Sequence, residues 1–333
     1  MNLRAFASVL ALLVAAATPG FQPALAQDKG TLDPKPLPAL AHPEAPSTPA
    51  KELFGRAREP ANLEARSIGF YSRGCLAGGE ALPVNGEAWQ VMRLSRNRNY
   101  GNPALISFLE SFAREVPKVS NWPGLLVGDL SQPRGGPMLT GHASHQIGLD
   151  ADIWLTPMPN RRLSRAEREE MSATNVVRAD KLDVDPRVWT ESHFDVIRAA
   201  AKSPQVQRIF VNAAIKKAMC REAGSDRGWL NKVRPMWGHN YHFHVRVFCP
   251  RGEEGCSGQD PVPPGDGCDQ LAWWFQPSVL HPKPNPHAKK KPPMTMAARS
   301  MRTPARSTAP NTACGPASTD CSTANIPTRN CST

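Results

Sequence analysis

The chain has 333 residues, a formal net charge of +11 and 40% hydrophobic residues. No segment is apolar over the roughly 18 to 20 residues that a membrane-spanning helix needs, so we expect no transmembrane span. The eight cysteines form no CxxC pair, which argues against a four-thiolate zinc site or a redox dithiol.

The beginning of the chain is typical of a secretory signal. Arg4 precedes an apolar stretch at 5–17, and Ala24 and Ala26 are small residues of the kind that a signal peptidase reads. We therefore predict a signal peptide over residues 1–26 and an exported mature protein. Disulfides persist in the oxidising compartment that such a protein reaches, which suits the cysteine content.

Composition predicts three further regions. Residues 27–52 are rich in proline and lack aromatic residues, so they are predicted to form a flexible leader. Residues 53–276 are long enough for one sizeable domain. Residues 277–333 carry eight basic residues and one acid, a net charge of +7, without apolar periodicity. They are predicted to be a disordered basic tail, either drawn to anionic lipids or acidic polymers of the cell envelope or solvated without a partner. Nucleic-acid binding by this tail conflicts with an export signal.

Apolar spacing gives a coarse secondary structure for the domain. It predicts helices at 87–94, 104–115, 192–201 and 212–220, and strands at 124–129, 148–155, 208–211 and 242–248. This order lacks a regular βαβ rhythm, so we predict an α+β fold with an antiparallel sheet flanked by helices. Five cysteines fall in the domain and three in the tail, so an odd domain cysteine is expected to pair with the tail.

The histidines of 237–246 lie on a predicted strand. Side chains alternate between the two faces of a strand. Tyr241, Phe243, Val245 and Val247 would face the core, whereas the intervening His242, His244 and Arg246 would project from the other face. Two imidazoles at positions i and i+2 can reach one metal ion, or one can bind while the other acts beside it.

A second histidine cluster occupies 141–152. His142 and His145 precede Gly148, which allows a turn into a strand on which Asp150 and Asp152 share a face. A His, Asp, His set with a bound water suits catalytic zinc. The glutamate base of the HExxH motif is absent, so a spare histidine is the candidate base. A structural zinc site is the alternative, although such sites more often use thiolates.

The strings GHASHQIGLDADIW and HNYHFHVRVFCP resemble those of the penicillin-insensitive murein endopeptidases. These zinc enzymes belong to a wider group, with lysostaphin-type peptidases, D-alanyl-D-alanine metallopeptidases and the hedgehog domain, marked by HxxxxxxD and a later HxH. Further matches are RIFVNAAIKKAMC, RGWLNKVRP, PPGDGC and SRGCLAGGEALP. The resemblance covers about 63–275.

The resemblance implies a role for each matching residue. His145, Asp152 and His244 would bind Zn²⁺, with His142 as an additional or alternate ligand. His242 would be the catalytic histidine, and His239 a proton-handling or substrate-binding group. The family's second, outer metal position is a D-x-x-H pair, but this chain reads Asp–Lys–Leu–Asp at 180–183, so no second metal is predicted. The family's cysteines at positions 220, 249, 256 and 268 are disulfide-bonded.

The implied substrate is the cross-linking peptide of peptidoglycan in the periplasm, cut at the D-alanyl–meso-diaminopimelyl bond. Attack by a metal-activated water forms no acyl-enzyme on serine, so β-lactams should not inhibit it. Two alternatives stay open at this stage. The same fold could trim terminal D-alanine as a carboxypeptidase, or cut an L,D bond. A zinc-stabilised wall-binding module without activity is the other alternative, and its test is the replacement of His242.

Overall fold

The computed structural model describes residues 29–282 of the chain. The predicted signal peptide and all but the first six residues of the predicted tail lie outside the described residues. The α-helices are α1 Ala50–Phe54, α2 Pro103–Val119, α3 Arg165–Glu170, α4 Glu191–Lys202, α5 Ala213–Glu222 and α6 Pro277–Leu280. Short 3-10 helices span Leu94–Arg96, Gly228–Lys232 and Ala272–Phe275.

The strands fall into one large sheet and two small ones. They are β1 Arg66–Phe70, β2 Arg73–Ala77, β3 Glu80–Ala81, β4 Trp89–Val91, β5 Tyr100–Gly101, β6 Leu125–Val127, β7 Asp150–Trp154, β8 Val206–Val211, β9 Val233–Pro235 and β10 His242–Val247. The large sheet has the order β4-β6-β7-β10-β8-β9. Its inner pairings are antiparallel, while β4–β6 and β8–β9 are parallel. This arrangement confirms the predicted α+β class.

One face of the large sheet forms the main hydrophobic core. Ala151 and Ile153 of β7 and Phe243 and Val245 of β10 are fully buried there, against residues of α2, α4 and α5. Strand alternation therefore places the intervening residues of β7 and β10 on the opposite face. These are buried as well, since all six residues of β10 are buried. The predicted two-faced pattern is confirmed for β10 from Phe243 onward, whereas Tyr241 packs on a separate apolar cluster.

The longest helix shows why the local sequence folds as it does. The Asn102 side chain accepts a hydrogen bond from the Ala104 backbone N–H at 3.0 Å, and Pro103 occupies the first turn. Seven apolar residues of α2 are buried along one stripe. The helix predicted at 104–115 is thus confirmed, as are those at 192–201 and 212–220.

The helix predicted at 87–94 is wrong. That segment contains β4, whose Trp89 and Val91 pair with Leu125 and Val127 of β6, and the first residue of a 3-10 helix. The spacing of apolar residues in eight positions fits either structure. The segment forms a strand because it pairs with a strand more than thirty residues away, and a local sequence pattern cannot predict that pairing.

The segment before the domain contacts it at several points. Ala50 and Phe54 of α1 are fully buried in a cluster with Ile68. The Gly30 N–H donates to the Glu169 carbonyl at 3.0 Å. Helix α1 therefore spans the boundary between the predicted leader and the domain.

Disulfides fasten the later part of the domain. Cys220 is bonded to Cys268, and Cys249 to Cys256. Cys75 is also disulfide-bonded. Across residues 29–282, no helix combines the length and apolar character needed to cross a membrane.

Candidate active site

The candidate site lies where β7 and β10 pair, on the sheet face opposite the main core. Register places His244 across from Asp152 and Arg246 across from Asp150. Cross-strand partners point to the same face, so these side chains meet. The His244 Nδ1 lies 3.2 Å from the Asp152 Oδ1, and the His242 Nε2 lies 3.6 Å from the same oxygen.

The loop before β7 carries the other two histidines, His142 and His145. His145 has a positive φ of 67°, and its backbone N–H donates to the Asp150 Oδ2 at 3.0 Å, which fixes the turn. Its Nε2 lies 3.4 Å from the Asp152 Oδ1, and the His142 Nδ1 lies 3.5 Å from the Asp152 Oδ2. The Asp152 carboxylate thus lies at the centre of four histidines.

Gly148 makes the entry into β7 possible. Its φ is +72°, a conformation that side chains rarely adopt. A Cβ there would lie 2.8 Å from a methyl group of Leu76 and 2.9 Å from the backbone nitrogen of Asn102. The predicted role of Gly148 in turning the chain between His145 and the strand is confirmed by this geometry.

Three of these side chains could hold a metal ion together. One ligand atom each from His142, His145 and Asp152 lie within 4.8 Å of one another, and within residues 29–282 this is the sole group of its kind. His244 is not part of that group, although its Nδ1 contacts Asp152. Imidazole nitrogens and a carboxylate oxygen are the donors that zinc prefers in catalytic sites.

Buried atoms without hydrogen bonds support a metal at this position. Both ring nitrogens of His145, the Oδ1 of Asp152 and the Nε2 of His244 are buried and make no properly oriented hydrogen bond. An unsatisfied buried polar group costs about 1–3 kcal/mol. The His145 Nε2 and the Asp152 Oδ1 lie only 3.4 Å apart, and a cation shared between them would satisfy both atoms, so the residues present fit a metal.

Asp150 contacts the ring nitrogen of His244 that does not face Asp152. Its carboxylate accepts from the Arg246 Nε at 2.8 Å and lies 3.0 Å from the His244 Nε2. Burial opposes ionisation, but Arg246 and His244 outweigh it and hold the pKa of Asp150 far below its usual value. Although burial lowers the pKa of His244, Asp150 and Asp152 raise it to about 9. A bound metal has to displace that proton.

Asp129 contacts the candidate site, although the sequence did not point to it. Its Oδ2 lies 2.9 Å from the His142 Nε2 and accepts from Arg96 and Arg98 at 2.9 Å each. Burial would raise the pKa of Asp129, but the hydrogen bond with His142 and the two guanidinium groups hold it well below its usual value. Asp129 therefore orients the His142 ring. Its position two residues after the buried strand β6 was the available signal.

His239 and His242 form the outer side of the site. Their rings lie 4.8 Å apart, and the His239 Nδ1 lies 2.7 Å from the Trp237 carbonyl oxygen. Burial lowers the pKa of His242 to about 4, and burial together with His242 lowers the pKa of His239 to about 3. Both imidazoles are therefore neutral at neutral pH, which is the form able to accept a proton.

The acidic residues at 180–183, which match the outer metal position of the family, form ion pairs with basic side chains. Asp180 pairs with Arg178, and Asp183 accepts from Arg221 at 3.1 Å and lies 3.3 Å from the Lys217 Nζ. Both carboxylates are thus neutralised by basic side chains.

The comparisons with known proteins point to one family. The family model described as penicillin-insensitive murein endopeptidase matches residues 67–314. A protein of that name from Haemophilus influenzae is 49% identical over 229 residues, 67% of this chain and 79% of the relative. Relatives of the same name from Klebsiella pneumoniae and Escherichia coli are 43% and 42% identical, over 71% of this chain and 85% of theirs. The chain belongs to the penicillin-insensitive murein endopeptidase family.

Proposed function

We propose that this protein is a zinc-dependent peptidase that hydrolyses the D-alanyl–meso-diaminopimelyl cross-link of peptidoglycan in the periplasm. Family membership supports a peptidase acting on peptidoglycan. The observation that supports the metal is the buried, unsatisfied His145 Nε2, which lies 3.4 Å from the equally unsatisfied Asp152 Oδ1. His145, Asp152 and His244 would hold the zinc, with His142 as an additional or alternate ligand.

When bound, zinc lowers the pKa of its water to near 7 and polarises a carbonyl group. The protein supplies the remaining chemistry. Neutral His242 lies beside Asp152, so its Nε2 can take the proton of the attacking water and return it to the departing amine. Asp150 and Asp129 keep His244 and His142 in fixed orientations, and such partners typically affect metal affinity 10- to 100-fold.

His239 extends the site toward solvent. Its ring neighbours those of His242 and His244, at 4.8 and 5.9 Å between centroids. The Nδ1 is held by the Trp237 carbonyl, which fixes the ring and leaves the Nε2 for substrate or for a relayed proton. We therefore assign His239 to proton handling or substrate contact beside the catalytic His242.

The test is digestion of purified, cross-linked muropeptide dimers, with and without a zinc chelator, read by mass spectrometry. We expect dimers to become monomers, with a new D-alanyl carboxyl end, and the chelator but not penicillin to stop the reaction. Loss of only a terminal alanine would instead establish a carboxypeptidase. Intact dimers and intact ends in the presence of zinc would establish a wall-binding module.

Two variants separate catalysis from metal binding. His242→Ala is expected to lose activity by at least about 100-fold while retaining zinc, because general acid–base groups contribute roughly 10²–10⁴-fold. His145→Ala is expected to lose both. His42→Ala is the matched control, since His42 is exposed and outside the site. Unchanged activity of the His242 variant would refute the mechanism.

A further inference from the structure

A cavity of about 610 Å³ opens beside the histidine cluster, and we call it the tryptophan pocket. Its apolar wall includes Met236, Trp237, Tyr241, Trp274 and Leu280. This volume is in the range of pockets that bind small molecules or a few residues of a peptide. The mechanism described above uses none of these five side chains.

The tryptophan pocket and the candidate site share a wall. The backbone at 237–241 lines the pocket on one side and carries His239 toward the site. Asn212 fixes this segment by donating its Nδ2 to the Gly238 carbonyl at 2.9 Å, and the Asn240 Nδ2 donates to the Asn175 Oδ1 at 2.9 Å. The same backbone segment therefore borders both the pocket and the histidines.

The charged side chains that line the pocket are all basic. Lys29, Arg178 and Lys181 line it, and none of the described residues lining it is Asp or Glu. Lys181 joins two walls, because its Nζ donates to the Leu280 carbonyl at 3.1 Å. Arg178 pairs with Asp180, but that guanidinium side chain is still 46% exposed. The pocket is thus complementary to a carboxylate attached to an apolar group.

Exposed indoles mark the same surface. Trp237 is 52% exposed and Trp273 is 50% exposed, and the Trp237 ring lies 5.3 Å from that of Trp274. Exposed apolar patches of this kind mark binding sites. The disulfide between Cys220 and Cys268 ties the segment carrying Trp273 and Trp274 to α5.

We propose that the tryptophan pocket binds the diaminopimelyl arm of the cross-link, an inference that rests on the proposed function. The amine of this arm leaves in the reaction, and the carbon bearing that amine also bears a free carboxylate. Arg178 and Lys181 contact the carboxylate, while Trp237 and Trp274 pack against the methylene chain. The pocket then selects for an acidic residue on the leaving side of the scissile bond.

The experiment measures binding of a monomeric muropeptide by calorimetry, so that it needs no turnover. The probe is prepared with its diaminopimelyl carboxylate either free or converted to the amide. The protein is the zinc-loaded mature chain, as wild type, as Arg178→Gln/Lys181→Gln, and as the control Lys118→Gln, whose side chain is 68% exposed on α2.

We expect wild type and the control to bind the free acid about tenfold more tightly than the amide, since hydrogen bonds to charged groups are among the stronger ones. The double variant should bind both forms equally. Equal affinities in wild type would overturn the proposal, as would an acid preference that persists in the double variant. Dimers that stay uncleaved while the preference is observed would count against the proposed reaction alone.

Discussion

Replacing Asp150 by Asn tests whether this carboxylate supports both the fold and the metal site. Asp150 is fully buried and accepts from the Arg246 Nε at 2.8 Å and from the Nη2 at 3.2 Å. Arg246 is itself only 5% exposed, and its guanidinium lies 4.0 Å from the centre of the Tyr71 ring. The change to Asn leaves the shape but removes the charge that neutralises Arg246.

Two effects of different size follow from the geometry. Removing one partner of a buried ion pair costs about 3–5 kcal/mol, because the remaining charge stays buried. That is a large part of a typical stability of about 5–15 kcal/mol. The His244 Nε2 also loses its charged neighbour at 3.0 Å, so zinc affinity should fall about 10- to 100-fold.

The assay combines urea unfolding without metal and a zinc competition titration with a chelating dye. Glu115→Gln is the control, since Glu115 pairs at 3.1 Å with Lys118 and the two side chains are 49% and 68% exposed. Such surface pairs contribute about 0–1 kcal/mol. If Asp150→Asn unfolded within about 0.5 kcal/mol of wild type and kept its zinc affinity, the reasoning about Asp150 would be refuted.

Three further outcomes are expected. Zinc at 100 times its Kd should raise the unfolding free energy by about 2.7 kcal/mol and Tm by roughly 5–10 °C, which a thermal scan measures; an unchanged Tm contradicts metal binding. Replacing Cys220 and Cys268 by serine should lower the unfolding free energy measured in urea by about 4 kcal/mol, whereas replacing Cys249 and Cys256 should lower it by about 2 kcal/mol. The difference arises because the first disulfide joins residues 48 positions apart and the second joins residues only 7 apart. Equal losses would contradict this explanation. Burial lowers the pKa of Lys216 from 10.5 in the unfolded chain to about 7 in the folded protein, so between pH 7 and 10.5 the unfolded protein binds more protons than the folded one. The unfolding free energy should therefore rise with pH in this range, by up to about 3 kcal/mol at pH 9.5. Lys216→Met should remove the rise.

Local sequence pattern was sufficient for the strands that carry the site. Alternation at 242–248 predicted β10 and the separation of Phe243 and Val245 from His242 and His244. A period of two residues has few other interpretations when the two residue classes differ so strongly. The same logic placed Asp150 and Asp152 on one face of β7.

The parts that sequence did not predict depend on contacts between distant residues. Asp129 is a single acid after a short strand, and only the fold brings it to His142. The role of Asp150 depends on the register that sets it opposite Arg246, and register is fixed by pairing over 96 residues. Because tertiary structure brings these contacting residues together, the spacing of residues along the chain does not predict the contacts.

The arrangement around Asp152 gives the histidines of the candidate site different surroundings, as the proposed mechanism requires. Four histidines surround one carboxylate, and burial alone would keep all of them neutral. Asp150 and Asp129 break this equivalence, because each contacts one histidine, His244 and His142. Among residues 29–282, Asp152 is the only carboxylate that pairs with His242, and burial lowers the pKa of this imidazole to about 4. The two supporting carboxylates therefore hold two histidines in place, while His242 stays neutral, the state that the proposed mechanism needs for accepting a proton.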